Sequence, residues 1–177
     1  CKGRLNIPIV YNTGGYERIE TLKMLEGYVD IYLPDFKYYD NKLAEKYSSA
    51  GNYFETVTAA LKEMYRQVSA CKIEDGIMRR GMIIRHLALP SHRHDSVKVL
   101  EWIAENLPKE DILISLMSQY TPFYKSSLHK ELSRRISTFE YNFVLDKASE
   151  LGLNGFMQEK SSAKEEYTPE FDFQGIL

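Results

Sequence analysis

Cysteine is nearly absent from this chain: Cys1 and Cys71, 70 positions apart, are the two present in 177 residues. Such a pair builds neither a disulfide framework nor, by itself, a metal knuckle. An excess of charge is lacking as well, since 23 basic and 25 acidic residues leave a formal net charge of -2. That balance provides no field to gather nucleic acid or an anionic membrane surface, and neither is expected as a partner. No apolar run approaches the roughly 20 residues needed to span a bilayer, and the amino end shows no signal-peptide pattern. A cytoplasmic protein is the expectation. A Ser-His-Asp order, a phosphate-binding glycine loop, a paired-carboxylate motif and internal repeats are also missing.

What is present suits one globular domain: 44% hydrophobic and 27% charged residues supply a sizeable core. Segments with strand character alternate with segments of period 3.6, the pattern of strand-helix-strand units around a parallel sheet. Four units are predicted. The strands are expected at 7 to 11, 29 to 33, 82 to 88 and 112 to 117, with helices at 17 to 26, 52 to 71, from His94 or Asp95 to Leu107, and to about residue 151. Asp40 is placed to cap a short helix, and Ser137 with Glu140 has the spacing of a capping box. Cys71 falls on the stripe Phe54, Val57, Leu61, Met64, Val68 and reads as a buried thiol on one helix face. The segment from Lys72 to Gly81 reads as a loop at the bottom of the sheet. Residues 159 to 177 lose periodicity and read as a surface tail behind a domain of residues 1 to 158. The class is α/β, a partial, open parallel (β/α) barrel. Cys1 stands where a methionine would, as though the chain were cut from something longer, and exposed edge strands invite self-association.

Parallel-barrel enzymes keep their chemistry at the carboxyl ends of the strands, which selects Asn12, Thr13, Asp35, Lys37, Arg85, Gln119 and Tyr120 as sharing one mouth. In LPDFKY, Asp35 and Lys37 are two apart on extended chain and face the same way. They can pair, or address the amine and carboxylate of a zwitterion. Arg85 interrupts the apolar run MIIRHLAL, where a guanidinium needs a carboxylate or a ligand. Its expected neighbours on that face are Ile83 and Leu87, with His86 pointing the other way. His86, His92, His94 and Asp35 are the residue types of a metal-dependent hydrolase, a less favoured alternative. A binding module that holds a nucleoside or a partner chain without catalysis is the other.

The run IPIVYNTGGYERIETLKMLEGYVDIYLPDFKYYD, followed by EMYRQV, RGMIIRHLALP and LMSQYTPF, resembles the radical S-adenosylmethionine superfamily. Within it the likeness is to pyruvate formate-lyase activating enzymes and their iron-sulfur homologues, from about residue 5 to 158. The resemblance implies a six-strand TIM-like partial barrel of which this chain carries the last four strands. It implies that a 4Fe-4S cluster in the intact parent cleaves S-adenosylmethionine reductively to a 5'-deoxyadenosyl radical for hydrogen abstraction. The cluster's CxxxCxxC loop is not in this chain, so no catalytic residue or metal ligand is assigned and the chain alone is expected to be inactive.

Position by position, the resemblance makes Asn12 and Thr13 a polar pair near the nucleoside, with Asn where Asp is usual. It places Asp35 and Lys37 beside the cofactor and the substrate-peptide channel, and Arg85 at the cofactor's carboxylate. Gln119 and Tyr120 fall where a histidine often contacts the nucleoside. A glycyl-radical enzyme or other protein substrate and a reduced electron donor are the implied partners.

Overall fold

The computed structural model describes residues 7 to 157. Strand β1 (Val10–Thr13) leads to helix α1 (Ile19–Met24), then β2 (Ile31–Pro34), α2 (Asn41–Ser48) and α3 (Tyr53–Val68). A hairpin of β3 (Lys72–Glu74) and β4 (Ile77–Leu87) follows, then α4 (Arg93–Asn106) and β5 (Leu113–Met117). Two 3-10 turns, Tyr124–Leu128 and Lys130–Leu132, precede α5 (Thr138–Glu150) and β6 (Gly155–Met157). Strands pair in the order β1-β2-β4-β5-β6, all parallel, with β3 antiparallel to β4. The result is an open α/β sheet with helical crossovers, as the alternating pattern required.

Two pieces of this sheet differ from the sequence expectation. The predicted loop at 72 to 81 is mostly hairpin, because Asp75 and Gly76 both take positive φ, 51° and 75°, as a two-residue turn between antiparallel strands requires. Beyond the four predicted strands, β6 adds a fifth parallel one of three residues, paired to β5. Helix α3 also stops at Val68, where Ser69 turns to φ 57°, so Cys71 lies beyond the helix rather than on its stripe. Its thiol is half-buried and donates to the Met82 carbonyl at 3.7 Å, at the amino end of the sheet. Cys1 and the predicted tail at 159 to 177 lie outside the described residues.

Strand periodicity fixes the layers. Along β4, Met82, Ile84 and His86 are buried while Ile83, Arg85 and Leu87 are half-exposed, and β5 repeats this with Ile114 and Leu116 buried. The buried face packs on Val57, Leu61 and Met64 of α3 and Val99, Leu100 and Ile103 of α4. Alternate residues therefore serve two surfaces, a helix-covered core and an open concave face. Caps fall where the sequence put them: Asp40 accepts from the Lys42 amide, and Ser137 and Glu140 form a complete capping box. Among the described residues no helix is long and apolar enough to cross a membrane.

Candidate functional site

Strand β2 hands over to the mouth at Pro34, and Asp35 forms an isolated parallel bridge with Arg85 of β4. The bridge sets the two side chains next to each other on the concave face. Arg85 Nη2 lies 2.6 Å from Asp35 Oδ1, and Lys37 Nζ lies 3.6 Å from Asp35 Oδ2. The side chains of Asp35 and Arg85 are 18% and 25% exposed, against 45% for Lys37. One carboxylate thus stands between two cations. The contact with Arg85 is an ion pair without a hydrogen bond, for Asp35 Oδ1 and Arg85 Nε are both buried with no hydrogen-bond partner. Unfulfilled donors and acceptors are costly in a fold, and at a cavity a ligand or water can complete them.

These groups line a cavity of about 260 Å³ together with Tyr38, Leu87, Leu89, Met117 and Gln119. It opens at the carboxyl ends of β2, β4 and β5. Its volume lies just under the roughly 300 to 1,000 Å³ of pockets that enclose a whole small ligand, so it suits part of one. Two walls differ: Leu87, Leu89 and Met117 offer apolar surface, and Asp35, Lys37, Arg85 and Gln119 offer charge and hydrogen bonds.

Four of the seven predicted site residues meet here, Asp35, Lys37, Arg85 and Gln119. The other three do not line the cavity. Asn12 is exposed at the end of β1, and the buried Thr13 donates its hydroxyl to the Glu17 carboxylate while accepting from the Gly15 amide at 3.3 Å. Tyr120 donates to the Leu132 carbonyl at 2.9 Å, which ties the strand end to the second 3-10 turn. Gly15 presses the β1 loop on the mouth: a Cβ there would lie 2.2 Å from the Asp35 carbonyl oxygen, and its φ is +77°. Only glycine fits that approach.

The histidines go separate ways. His86 is buried on the helix side and its Nδ1 lies 2.7 Å from the Phe36 carbonyl, which makes Nδ1 the donor. Burial lowers its pKa and keeps the ring neutral. His92 Nε2 meets the Tyr47 hydroxyl at 2.9 Å, and His94 packs edge-on to Phe143. Among the described residues no three His, Cys, Asp or Glu side chains are placed to hold a metal ion together. The hydrolase reading from His86, His92, His94 and Asp35 is therefore corrected by the alternation of β4, which turns His86 away from Asp35.

The sequence reading put Leu87 on the Arg85 face but passed over Tyr38, Leu89 and Met117. Period 2 counted on from Arg85 reaches Leu87 and Leu89, whereas Met117 needs the β4–β5 register, in which it pairs with Leu87.

No protein-family model matches the chain. An uncharacterised protein of Methanocaldococcus jannaschii is 32% identical over 150 residues, a stretch covering 84% of this chain and 40% of that protein. The chain thus spans well under half of that relative's length. Among solved structures, a domain of a pyruvate-formate lyase-activating enzyme from Bacteroides vulgatus superposes with a TM-score of 0.56 at 15% identity, over 80% of this chain and 75% of that one. The likeness is one of fold: an open parallel α/β sheet of the partial-barrel kind.

Proposed function

We propose that this chain is the cofactor-cradling part of a radical S-adenosylmethionine enzyme related to the glycyl-radical activating group. The observation that carries the proposal is the half-buried Asp35–Arg85 ion pair, whose Oδ1 and Nε lack hydrogen bonds beside a half-apolar cavity at the strand ends. The shared fold with an activating-enzyme domain supports it.

The residues present fit the methionyl end of S-adenosylmethionine. Arg85 offers guanidinium donors to a carboxylate, Asp35 offers an acceptor to an ammonium or hydroxyl, and Leu87, Leu89 and Met117 offer apolar contact that excludes water. Lys37, nearly half-exposed at the rim, stands 3.6 Å from Asp35 Oδ2 and adds positive charge where an anionic group would enter. They do not fit a 4Fe-4S cluster, because the chain has two cysteines and Cys71 lies at the opposite end of the sheet. No step through a cluster is assigned to these residues. In an intact enzyme of this kind the cluster and S-adenosylmethionine supply a one-electron reductive cleavage that ends in hydrogen abstraction from a substrate. A protein substrate such as a glycyl-radical enzyme, a reduced electron donor and a cytoplasmic setting belong to the same proposal, as does one domain ending near residue 158.

Titration calorimetry of the chain with S-adenosylmethionine tests the reading. Saturable binding that weakens at least tenfold in Arg85→Ala supports it; unchanged affinity in that variant refutes the site. A longer parent, reconstituted anaerobically with iron and sulfide, should cleave S-adenosylmethionine on reduction and lose that activity with Asp35→Ala.

A further inference from the structure

Asp35 and Lys37 sit outside a regular ladder, so the partners of their backbone groups decide how firmly the side chains are aimed. The Asp35 amide donates to the Thr13 carbonyl at 2.9 Å and the Phe36 amide to the Arg85 carbonyl at 2.8 Å. The Phe36 carbonyl takes its hydrogen bond from His86 Nδ1 at 2.7 Å. Tyr53, at the first turn of α3, serves two residues with one hydroxyl, donating to the Asp35 carbonyl at 3.2 Å and accepting from the Lys37 amide at 2.8 Å. Every backbone polar group from the Asp35 amide to the Lys37 amide is thereby engaged. Two of the three side chain and backbone partners after the Asp35 amide come from consecutive residues of β4.

We infer that His86 and Tyr53 are positioning residues, which clamp the Asp35-Phe36-Lys37 segment from its buried side and so set the Asp35 carboxylate between Arg85 and the Lys37 amine. His86 is 1% and Tyr53 3% exposed, so neither touches the cavity. Each acts through the peptide groups. Arg85 and His86 share one strand: the guanidinium presents itself to the concave face while the next residue's imidazole, on the other face, grips the segment that carries the guanidinium's partner. The single hydroxyl of Tyr53 couples α3 to the same segment. Burial raises the Tyr53 pKa, which keeps the phenol protonated and able to donate. Phe36 completes the anchor on the buried side, packed edge-on to Trp102 with ring centroids 5.5 Å apart.

As a statement about ligand affinity the inference rests on the proposed cofactor site; as a statement about local order it does not. The test uses the full chain, with Tyr53→Phe, His86→Phe and His86→Asn, the last retaining a donor near the position of Nδ1. Amide hydrogen exchange by NMR reads the clamp without ligand. Exchange at Lys37 should accelerate more than threefold in Tyr53→Phe, and at Phe36 in His86→Phe, while Tyr32 and Ile84 keep their rates. His86→Asn should restore the Phe36 rate to within threefold. Smaller changes at Phe36 and Lys37, or an acceleration spread evenly over the sheet, overturn the clamp. Should His86→Phe not fold, Tyr53→Phe alone decides through Lys37.

S-adenosylmethionine is the second probe: its dissociation constant should rise more than threefold in Tyr53→Phe and be spared in His86→Asn. Unaltered affinity in Tyr53→Phe overturns the positioning role. A wild-type chain that shows no saturable binding instead refutes the cofactor reading, and the exchange rates still judge the clamp.

Discussion

Arg85 and His86 are neighbours on one strand and live in opposite environments. Arg85 faces the concave side, partly wet and short of a hydrogen bond at Nε, while His86 faces the helices, fully covered, with its Nδ1 bound to a carbonyl. The same contrast runs through Asp35 and Lys37 against Phe36. On the helix side the chain has spent its residues mainly on packing, with His86 Nε2 the one polar atom of that ring left without a hydrogen bond, and on the concave side it leaves Asp35 Oδ1 and Arg85 Nε incomplete. The first holds the fold together; the second lies on a cavity, where a ligand or water can complete it. The comparison teaches that stability and function are separated here by a single step along the chain, and substitutions can be chosen to pull the two apart.

The largest expected effect lies on the packed face. Phe36 is wholly buried against Phe54 and Trp102. Phe36→Ala should cost about 3 to 5 kcal/mol of unfolding free energy, the usual result of removing a core ring and leaving a cavity. Urea denaturation measures it. A loss below about 1 kcal/mol would mean that this face is not the anchored one and would dissolve the contrast.

Parts of this arrangement were legible in the residues alone. Arg85 in an apolar run announced a guanidinium in need of a partner, and the spacing of Asp35 and Lys37 put both on one face. What could not be read was that Asp35 meets Arg85: fifty residues separate them, and only the β2–β4 pairing brings them side by side. Tyr53 gave no signal either, since a tyrosine in a helix's first turn reads as ordinary amphipathic packing. The hairpin at Asp75-Gly76 had its turn signature in plain view, but Lys72 to Glu74 is exposed along its whole length and lacks the alternation that marks a strand. β6 is three residues long and too short to show a period. Asn12, Thr13 and Tyr120 end strands as the residues of the mouth do, but strand ends differ in which way their side chains turn. Thr13 is spent on Glu17 and Tyr120 on Leu132.

An intermediate effect should appear in the pH dependence of stability, again on the packed side. Burial, the leading cause, depresses the pKa of His86 and also that of His92, with the Phe36 carbonyl and the Asp95 and Asp35 charges opposing it at His86. A histidine whose folded pKa is depressed contributes stability that is complete above its unfolded value of about 6.5 and is lost as pH falls below it, because the unfolded chain takes up the proton first. Glu63 behaves alike further down. The Arg66 guanidinium, with Gln67 in support, holds its carboxyl at about 2, so its share is intact above the unfolded carboxylate range and drains away between there and about pH 2. Denaturant midpoints should therefore stay level from pH 8 to 7, decline from about 6.5, and decline again below about 4.5. In His86→Asn the first decline should shrink to the part due to His92. An undiminished slope would show that His86 is not the buried neutral ring described.

The smallest effect on stability is expected on the concave face, and it is the one that separates a structural ion pair from a ligand site. A buried pair that the fold depends on destabilises by several kcal/mol when broken, because the survivor is left charged and unpaired. Replacing both partners removes that penalty, and Asp35→Asn with Arg85→Met keeps similar volumes while deleting both charges. Asp35 and Arg85 are still reached by solvent and share no hydrogen bond, so their mutual attraction is screened and offsets little. The double variant should unfold within about 1 kcal/mol of the wild-type chain. Its affinity for S-adenosylmethionine should fall at least tenfold at the same time. A loss of more than about 3 kcal/mol would make the pair a strut of the sheet. Retained stability with retained binding would leave the cavity without the polar contacts proposed for it, and the incomplete atoms of the concave face would then need another ligand to explain them.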